Sequence, residues 1–166
     1  GGSLTVQSID GEGSTFVLSL PVTAVENAPA QPVRVVETAG SLAGRSILAA
    51  DDHEVNRRIL QLLLEPHGCR LTLVENGAEA LEAASGQRFD AILMDMQMPL
   101  MGGEEATRLI RHAGIETPII AVTASAFDED KIKAISKGMD DFITKPVVLK
   151  NLKETIVKQM ELLANL

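Results

Sequence analysis

Five short apolar runs constrain this chain more than any other feature: Ile47–Ala50, Leu71–Val74, Ala91–Met94, Ile119–Val122 and Phe142–Ile143. None of them alternates polar with apolar residues. A strand with one wet face shows period-two alternation, so an unbroken run predicts burial on both faces, as in a parallel sheet covered by helices on each side. The intervening stretches supply such helices. Val55, Ile59, Leu62 and Leu63 share one stripe and are read as facing the sheet. Ala106, Leu109 and Ile110 share a second; Leu149, Leu152, Ile156, Met160 and Leu163 form a third. Gly68, Gly86, Gly114 and Gly138 each follow a helical segment, where a left-handed residue is wanted. Repeated strand–helix units predict an α/β domain over residues 45–166 with right-handed crossovers.

The preceding residues differ. Leu4–Ser8 and Ser14–Leu20 have β character and flank Asp10-Gly11-Glu12-Gly13, so residues 1–22 read as a β-hairpin. Such a hairpin is marginal in water when alone. Residues 23–44 carry Pro29, Pro32, several alanines and no sustained period, which is the composition of a linker. The first residues, Gly1-Gly2-Ser3, include no start methionine and no basic signal region, so the sequence reads as part of a longer chain.

Composition narrows the function classes. With 15 Lys+Arg against 23 Asp+Glu and a net charge of −8, the chain is a poor match to a phosphate backbone. Its aromatics are four phenylalanines with no Trp or Tyr, too few to stack on single-stranded bases. No partner nucleic acid is expected, and no apolar run is long enough to cross a membrane. Cys69 is the lone cysteine, so no intrachain disulfide forms, which fits a reducing, cytoplasmic setting.

The chemistry lies where the runs end. The first is followed by Asp51-Asp52, the third by Asp95, the fourth by Thr123 and the fifth by Lys145-Pro146. In an open parallel sheet the carboxyl ends line one edge, and ligands bind there near the topological switch point. Three carboxylates within about 5 Å repel by about 3 kcal/mol per pair at an effective dielectric near 20. Lys145 offsets part of that, and a hard divalent cation such as Mg²⁺ offsets more. An ionised Asp is a competent nucleophile toward phosphorus, and the product needs cationic compensation and a hydroxyl donor. Asp95, after the strand that follows the switch point, is the best acceptor.

These residues carry a resemblance. Asp51-Asp52, Met94-Asp95-Met96-Gln97-Met98-Pro99 with Gly102-Gly103, Val122-Thr123-Ala124 and Asp141-Phe142-Ile143-Thr144-Lys145-Pro146 make residues 45–166 similar to the receiver domain of two-component response regulators. The resemblance implies a doubly wound (βα)5 flavodoxin-like fold with strand order 2-1-3-4-5. It implies Asp95 as phosphoacceptor in a His–Asp relay, with Thr123 and Lys145 contacting the phosphoryl group. Mg²⁺ would be bound by Asp52 and Asp95, by Asp51 mainly through water, and by the backbone carbonyl of Gln97. Thr123 and Phe142 would form the switch. A cis bond before Pro146 is also implied, aiming Lys145 into the site. The implied partner is a histidine-kinase phosphotransfer domain or a histidine phosphotransfer protein. Leu60 and Leu64, read as exposed on the first helix, would join Pro146 and Val147 in docking it.

Residues 1–22, with Gly1-Gly2, Leu4-Thr5-Val6, Gly11-Glu12-Gly13-Ser14-Thr15-Phe16 and Leu20-Pro21, resemble the last hairpin of a histidine-kinase ATP-binding domain. The order hairpin, linker, receiver is that of a hybrid sensor histidine kinase, whose upstream part can be membrane-anchored. The nucleotide motifs of the kinase are absent from this segment, which supports only its own phosphorylation and dephosphorylation. One alternative is a pseudo-receiver that binds without turning over phosphate, but such modules lose the acid pair, the acceptor or the lysine. Another is an aspartyl-phosphate hydrolase, which wants Asp-x-Asp where this chain has Asp95-Met96-Gln97. His53, His67 and His112 fit no metal spacing. Cys69 and the methionines around Asp95 read as packing, and Asp128-Glu129-Asp130 as the acidic start of a helix.

Overall fold

The structure is a computed structural model that describes residues 2–9, 13–21, 41–124, 135 and 137–165. The chain forms two compact units, residues 1–36 and 37–166. The turn at Asp10–Glu12, most of the linker, Ser125, Phe127 and the Asp128–Asp130 run lie outside the described residues.

In the first unit, β1 (Ser3–Ile9) pairs antiparallel with β2 (Gly13–Ser19). The register sets Leu4 against Leu18 and Val6 against Phe16. Because side chains alternate, those four share one apolar face, and all four are exposed.

The second unit contains β3 (Ser46–Ala50), α1 (Glu54–Leu64), β4 (Arg70–Val74), α2 (Gly77–Gly86), β5 (Ala91–Asp95), α3 (Gly103–His112), β6 (Ile119–Thr123), β7 (Asp141–Thr144) and α4 (Leu149–Ala164). The five strands are parallel in the order β4-β3-β5-β6-β7, which is 2-1-3-4-5 within the domain, as the resemblance implied. Odd-numbered Ile47, Ala49, Ala91 and Leu93 pack with Leu60, Leu64, Leu152 and Ile156 of α1 and α4. Even-numbered Leu48, Ala50, Ile92 and Met94 pack with Ala80, Ala84, Ala106 and Ile110 of α2 and α3. Each run is apolar throughout because alternate residues enter two different cores.

The first helix corrects the sequence reading. Leu60 and Leu64 are 3% and 0% exposed, whereas Val55 and Leu62 are 70% and 60% exposed. Leu60 and Leu64 therefore support the fold and are not a docking surface. Only Leu63 of the expected inward stripe packs on the core. The reason lies in two polar neighbours. Asn56 and Arg57 bond Asp51 at the end of β3 and so must face the sheet. On an ideal wheel they lie about 100° and 200° from Val55, and Leu60 and Leu64 fall between them at about 140° and 180°. Apolar residues occupy both sides of α1, and hydrophobicity alone selects the wrong one.

Gly68, Gly114 and Gly138 have φ of 76°, 75° and 96°, as their positions after helical segments predict. Gly86 does not: it is the last residue of α2 and has no positive φ. In α4, Leu152 and Ile156 are buried as expected, together with Val157 and Gln159, while Leu163 is 38% exposed.

Candidate functional site

The order of strands reverses between β3 and β5, so the crevice at the carboxyl end of the sheet opens between Asp51-Asp52 and Asp95. Asp51 and Asp95 are buried and Asp52 is half-buried; one oxygen of each lies within 4.8 Å of the others. Lys145, just after β7, completes the cluster, its Nζ 2.8 Å from Asp51 Oδ2 and 2.5 Å from Asp95 Oδ2. The backbone N–H of Lys145 donates to the Thr123 carbonyl, and the Lys145–Pro146 bond is cis.

Each acid has its own support. Asp51 Oδ1 accepts from the His53 backbone N–H and from Asn56 Nδ2, both at 2.9 Å. Arg57 ties the Asp51 carbonyl, at 2.7 Å, to Glu75 beyond β4, at 2.6 Å. Asp95 Oδ1 accepts the Gln97 N–H, at 3.1 Å. Burial pushes both carboxyls up. At Asp51 the bonds from Lys145, Asn56 and His53 outweigh it and hold the group below its ordinary range. Asp95 has fewer donors and the Asp51 charge beside it, so burial prevails and its carboxyl is raised. Burial alone would lower Lys145; the bonds to the two carboxylates reverse that and raise it.

A cavity of about 570 Å³ opens over the cluster, lined by Asp52, Asp95, Gln97, Thr123 and Lys145 together with His53, Asn56, Met96, Glu104 and Ala124. The structure thus brings every sequence-predicted site residue of the strand ends to one place. Phe142, on β7, is half-buried and packs against the core between the sheet and α2–α3. A second, mostly apolar cavity of about 410 Å³ lies between α1 and the segment after Lys145, lined by Asp51, Asn56, Ile59, Leu60, Val122, Lys145, Pro146 and Val147. Asn56, Arg57 and Glu104 escaped the sequence reading. A polar residue in the first turn of the helix after an acid pair is the signal that points to Asn56.

The donor set is that of a hard cation. Three carboxylates share one ammonium, so uncompensated negative charge faces a cavity with room for water, and oxygen ligands with retained water are what Mg²⁺ prefers.

Tight backbone packing fixes the loop beneath. A Cβ on Gly103, at the start of α3, would lie 2.2 Å from the Asp95 carbonyl oxygen. One on Gly77 would lie 2.6 Å from the Met101 carbonyl oxygen, to which the Gly77 N–H donates at 3.0 Å. Between them Leu100 turns the chain with φ 65°, its side chain in solvent.

Comparison with known proteins agrees with this geometry. The chain is 39% identical over 127 residues to the sensor histidine kinase GacS of Pseudomonas protegens, covering 74% of this chain and 14% of that protein. It is 38% identical over 115 residues to the sensor histidine kinase RcsC of Escherichia coli, covering 69% of this chain and 12% of that protein. It therefore spans only a small part of such relatives. Among solved structures, the receiver domain of a Pseudomonas aeruginosa sensor histidine kinase, with a magnesium ion coordinated in its active-site cleft, superimposes with a TM-score of 0.67 at 38% identity, covering 72% of this chain and 99% of that one. The receiver domain of Saccharomyces cerevisiae Ssk1, solved with the histidine phosphotransfer protein Ypd1, gives a TM-score of 0.69 at 30% identity, covering 74% and 92%. Residues 47–157, which hold both acid-bearing strands, Thr123 and Lys145, match the response regulator receiver domain, and the chain belongs to that family.

Proposed function

We propose that this chain accepts a phosphoryl group on Asp95 from a partner's phosphohistidine, with Mg²⁺ as cofactor, and that phosphorylation switches its protein–protein contacts. The observation that carries the reading is Lys145 bonded to both Asp51 and Asp95 on the floor of an open cavity that Asp52 and Thr123 also line. A carboxylate oxygen of Asp95 attacks phosphorus as the P–N bond breaks, and the bonding pair returns to the imidazole nitrogen. Lys145 keeps its bond to Asp51 while its charge meets the incoming phosphoryl oxygens, and the Thr123 hydroxyl donates to one of them. Asp52 and Asp95 would hold Mg²⁺ directly, the Gln97 carbonyl would add a ligand and Asp51 would act through water, so that the ion offsets the phosphoryl charge. Movement of Thr123 toward the phosphoryl group would vacate space for Phe142 to turn inward, biasing the surface around β7 and α4.

Acetyl phosphate with Mg²⁺ should raise the intact mass by one phosphoryl group, and EDTA should prevent it. An unchanged mass under both conditions would sink the reading.

The docking face follows from the corrected α1. Val55, Ile59 and Leu62 form an exposed apolar stripe on the helix that starts beside the cavity, and Pro146 and Val147 border the adjoining apolar cavity. This surface would receive the helix bearing the donor histidine, which must bring its imidazole to Asp95. Val55→Asp with Leu62→Asp is expected to slow transfer from a phosphohistidine protein at least tenfold, while acetyl phosphate, which needs no docking, still labels. Leu60→Asp is expected instead to unfold the domain, since it places a charge in the core. Circular dichroism and transfer kinetics separate the two outcomes.

The same reading makes residues 1–22 the last hairpin of a histidine-kinase ATP-binding domain, 23–44 a linker and 45–166 the receiver of a hybrid kinase working in the cytoplasm. Its support is the family of the relatives and the hairpin's uncovered apolar face of Leu4, Val6, Phe16 and Leu18. Among the described residues no helix is long and apolar enough to cross a membrane.

A further inference from the structure

We propose that Asn56 is a positioning residue of this site, its side-chain amide orienting the Asp51 carboxylate and, through it, the acidic cluster that would hold the cation. The inference rests on the phosphoacceptor reading above and assigns a role to a residue outside the strand-end motifs.

Among the described residues three donors meet the Asp51 carboxylate: the His53 N–H and Asn56 Nδ2 on Oδ1, and Lys145 Nζ on Oδ2. Lys145 is shared with Asp95, and its charge is the one that must serve a phosphoryl group. Among the described residues, Asn56 is thus the side chain whose bond is given to Asp51 alone. When the Lys145 charge also serves a phosphoryl group on Asp95, the Asn56 amide and the His53 N–H hold the other oxygen of Asp51 in place.

The position of Asn56 argues against a purely structural role. It lies on the inward face of α1, in line with the buried Leu60 and Leu64, where an apolar residue would also pack. It does not cap its own helix: the N-cap position of α1 is His53, and no side-chain bond caps it. Asn56 and Lys145 are also the two residues common to the walls of the acidic cavity and the adjoining apolar one. Loss of the amide would leave Oδ1 with the His53 N–H alone and free the carboxylate plane to turn. Partners that orient metal-site carboxylates typically change metal affinity by about 10–100-fold.

The test uses the 166-residue chain. Mg²⁺ affinity is measured by titration for the wild type, for Asn56→Leu, which keeps the branched shape without the amide, and for Asn56→Ser, which is too short to reach Asp51. Both variants are expected to bind Mg²⁺ about tenfold more weakly or worse. Both should label slowly with acetyl phosphate at low Mg²⁺, and that deficit should shrink as Mg²⁺ is raised. Asn56→Ser carries the same test if Asn56→Leu fails to fold. Wild-type Mg²⁺ affinity in a folded variant would overturn the inference. So would a labelling deficit that ignores Mg²⁺ concentration, which would mark the residue as merely structural. A wild-type chain that neither binds Mg²⁺ nor takes a phosphoryl group would instead overturn the phosphoacceptor reading itself.

Discussion

Asp95→Asn is expected to abolish labelling by acetyl phosphate and, without divalent cations, to raise the unfolding temperature. The first effect removes the nucleophile. The second follows from the electrostatics of the cluster. The Asp95 carboxyl is raised because burial and the nearby Asp51 charge outweigh its bonds to Lys145 and Gln97. A carboxyl whose folded pKa exceeds its unfolded value favours folding while protonated, and that contribution is lost as pH rises through the folded value. At neutral pH the ionised Asp95 therefore opposes folding, and a neutral amide of the same shape relieves it. The advantage of the variant should vanish below the unfolded carboxyl range, where Asp95 is neutral in both states, and grow as pH rises. Asp51 has the opposite sign. Its lowered carboxyl contributes stability above the unfolded value that is lost as pH falls through the folded one. Thermal unfolding of both proteins across this pH range checks the sign: a variant less stable than wild type at neutral pH without divalent cations would contradict it. Mg²⁺ should reverse the order, because a cation that binds only the folded wild type stabilises it by mass action.

That balance explains why the site was legible in the sequence. Repelling carboxylates at strand ends oppose folding, so their convergence at the switch point needs a chemical reason, and the strand-end residues themselves supply one. The strands were legible for a similar reason: runs such as Ala91–Met94 alternate between two cores, as strands of a parallel sheet covered on both faces do. The orientation of α1 was not legible, because its apolar residues populate two sides and the choice between them is made by Asn56 and Arg57 bonding Asp51. Those bonds are tertiary and leave no period in the sequence. The same holds at the opposite edge of the sheet. There Asp140 Oδ2 accepts from the Ile119 N–H at 2.7 Å and from Arg111 at 2.6 Å, while Arg111 also donates to the carbonyls of Ile115, Thr117 and Gly138. Asp90 plays the matching part for the Ser46 N–H and Arg45. Neither aspartate lies in the strand-end motifs that the sequence made legible.

The glycines make the second large expectation, and they separate positions that look alike in sequence. Gly103→Ala places a methyl group 2.2 Å from the Asp95 carbonyl oxygen, a contact with backbone that no rotamer change relieves. Either α3 or the Asp95 peptide must move. The expected cost is about 2–4 kcal/mol, in the range of substitutions that force backbone displacement. Because the displaced peptide carries the acceptor, labelling should fall as well, even at temperatures where the variant remains folded. Gly86 was expected from its place in the sequence to need a left-handed conformation, and Ala there would then be strained. In the structure Gly86 closes α2 with ordinary helical sign, and a Cβ meets nothing within 4 Å. Gly86→Ala is therefore expected to stabilise the domain by about 0.5–1 kcal/mol, through the lost freedom of the unfolded chain. Denaturant unfolding of the two variants beside wild type tests both signs. A neutral Gly103→Ala would mean that α3 does not press on the Asp95 peptide, and a destabilising Gly86→Ala would restore the left-handed reading.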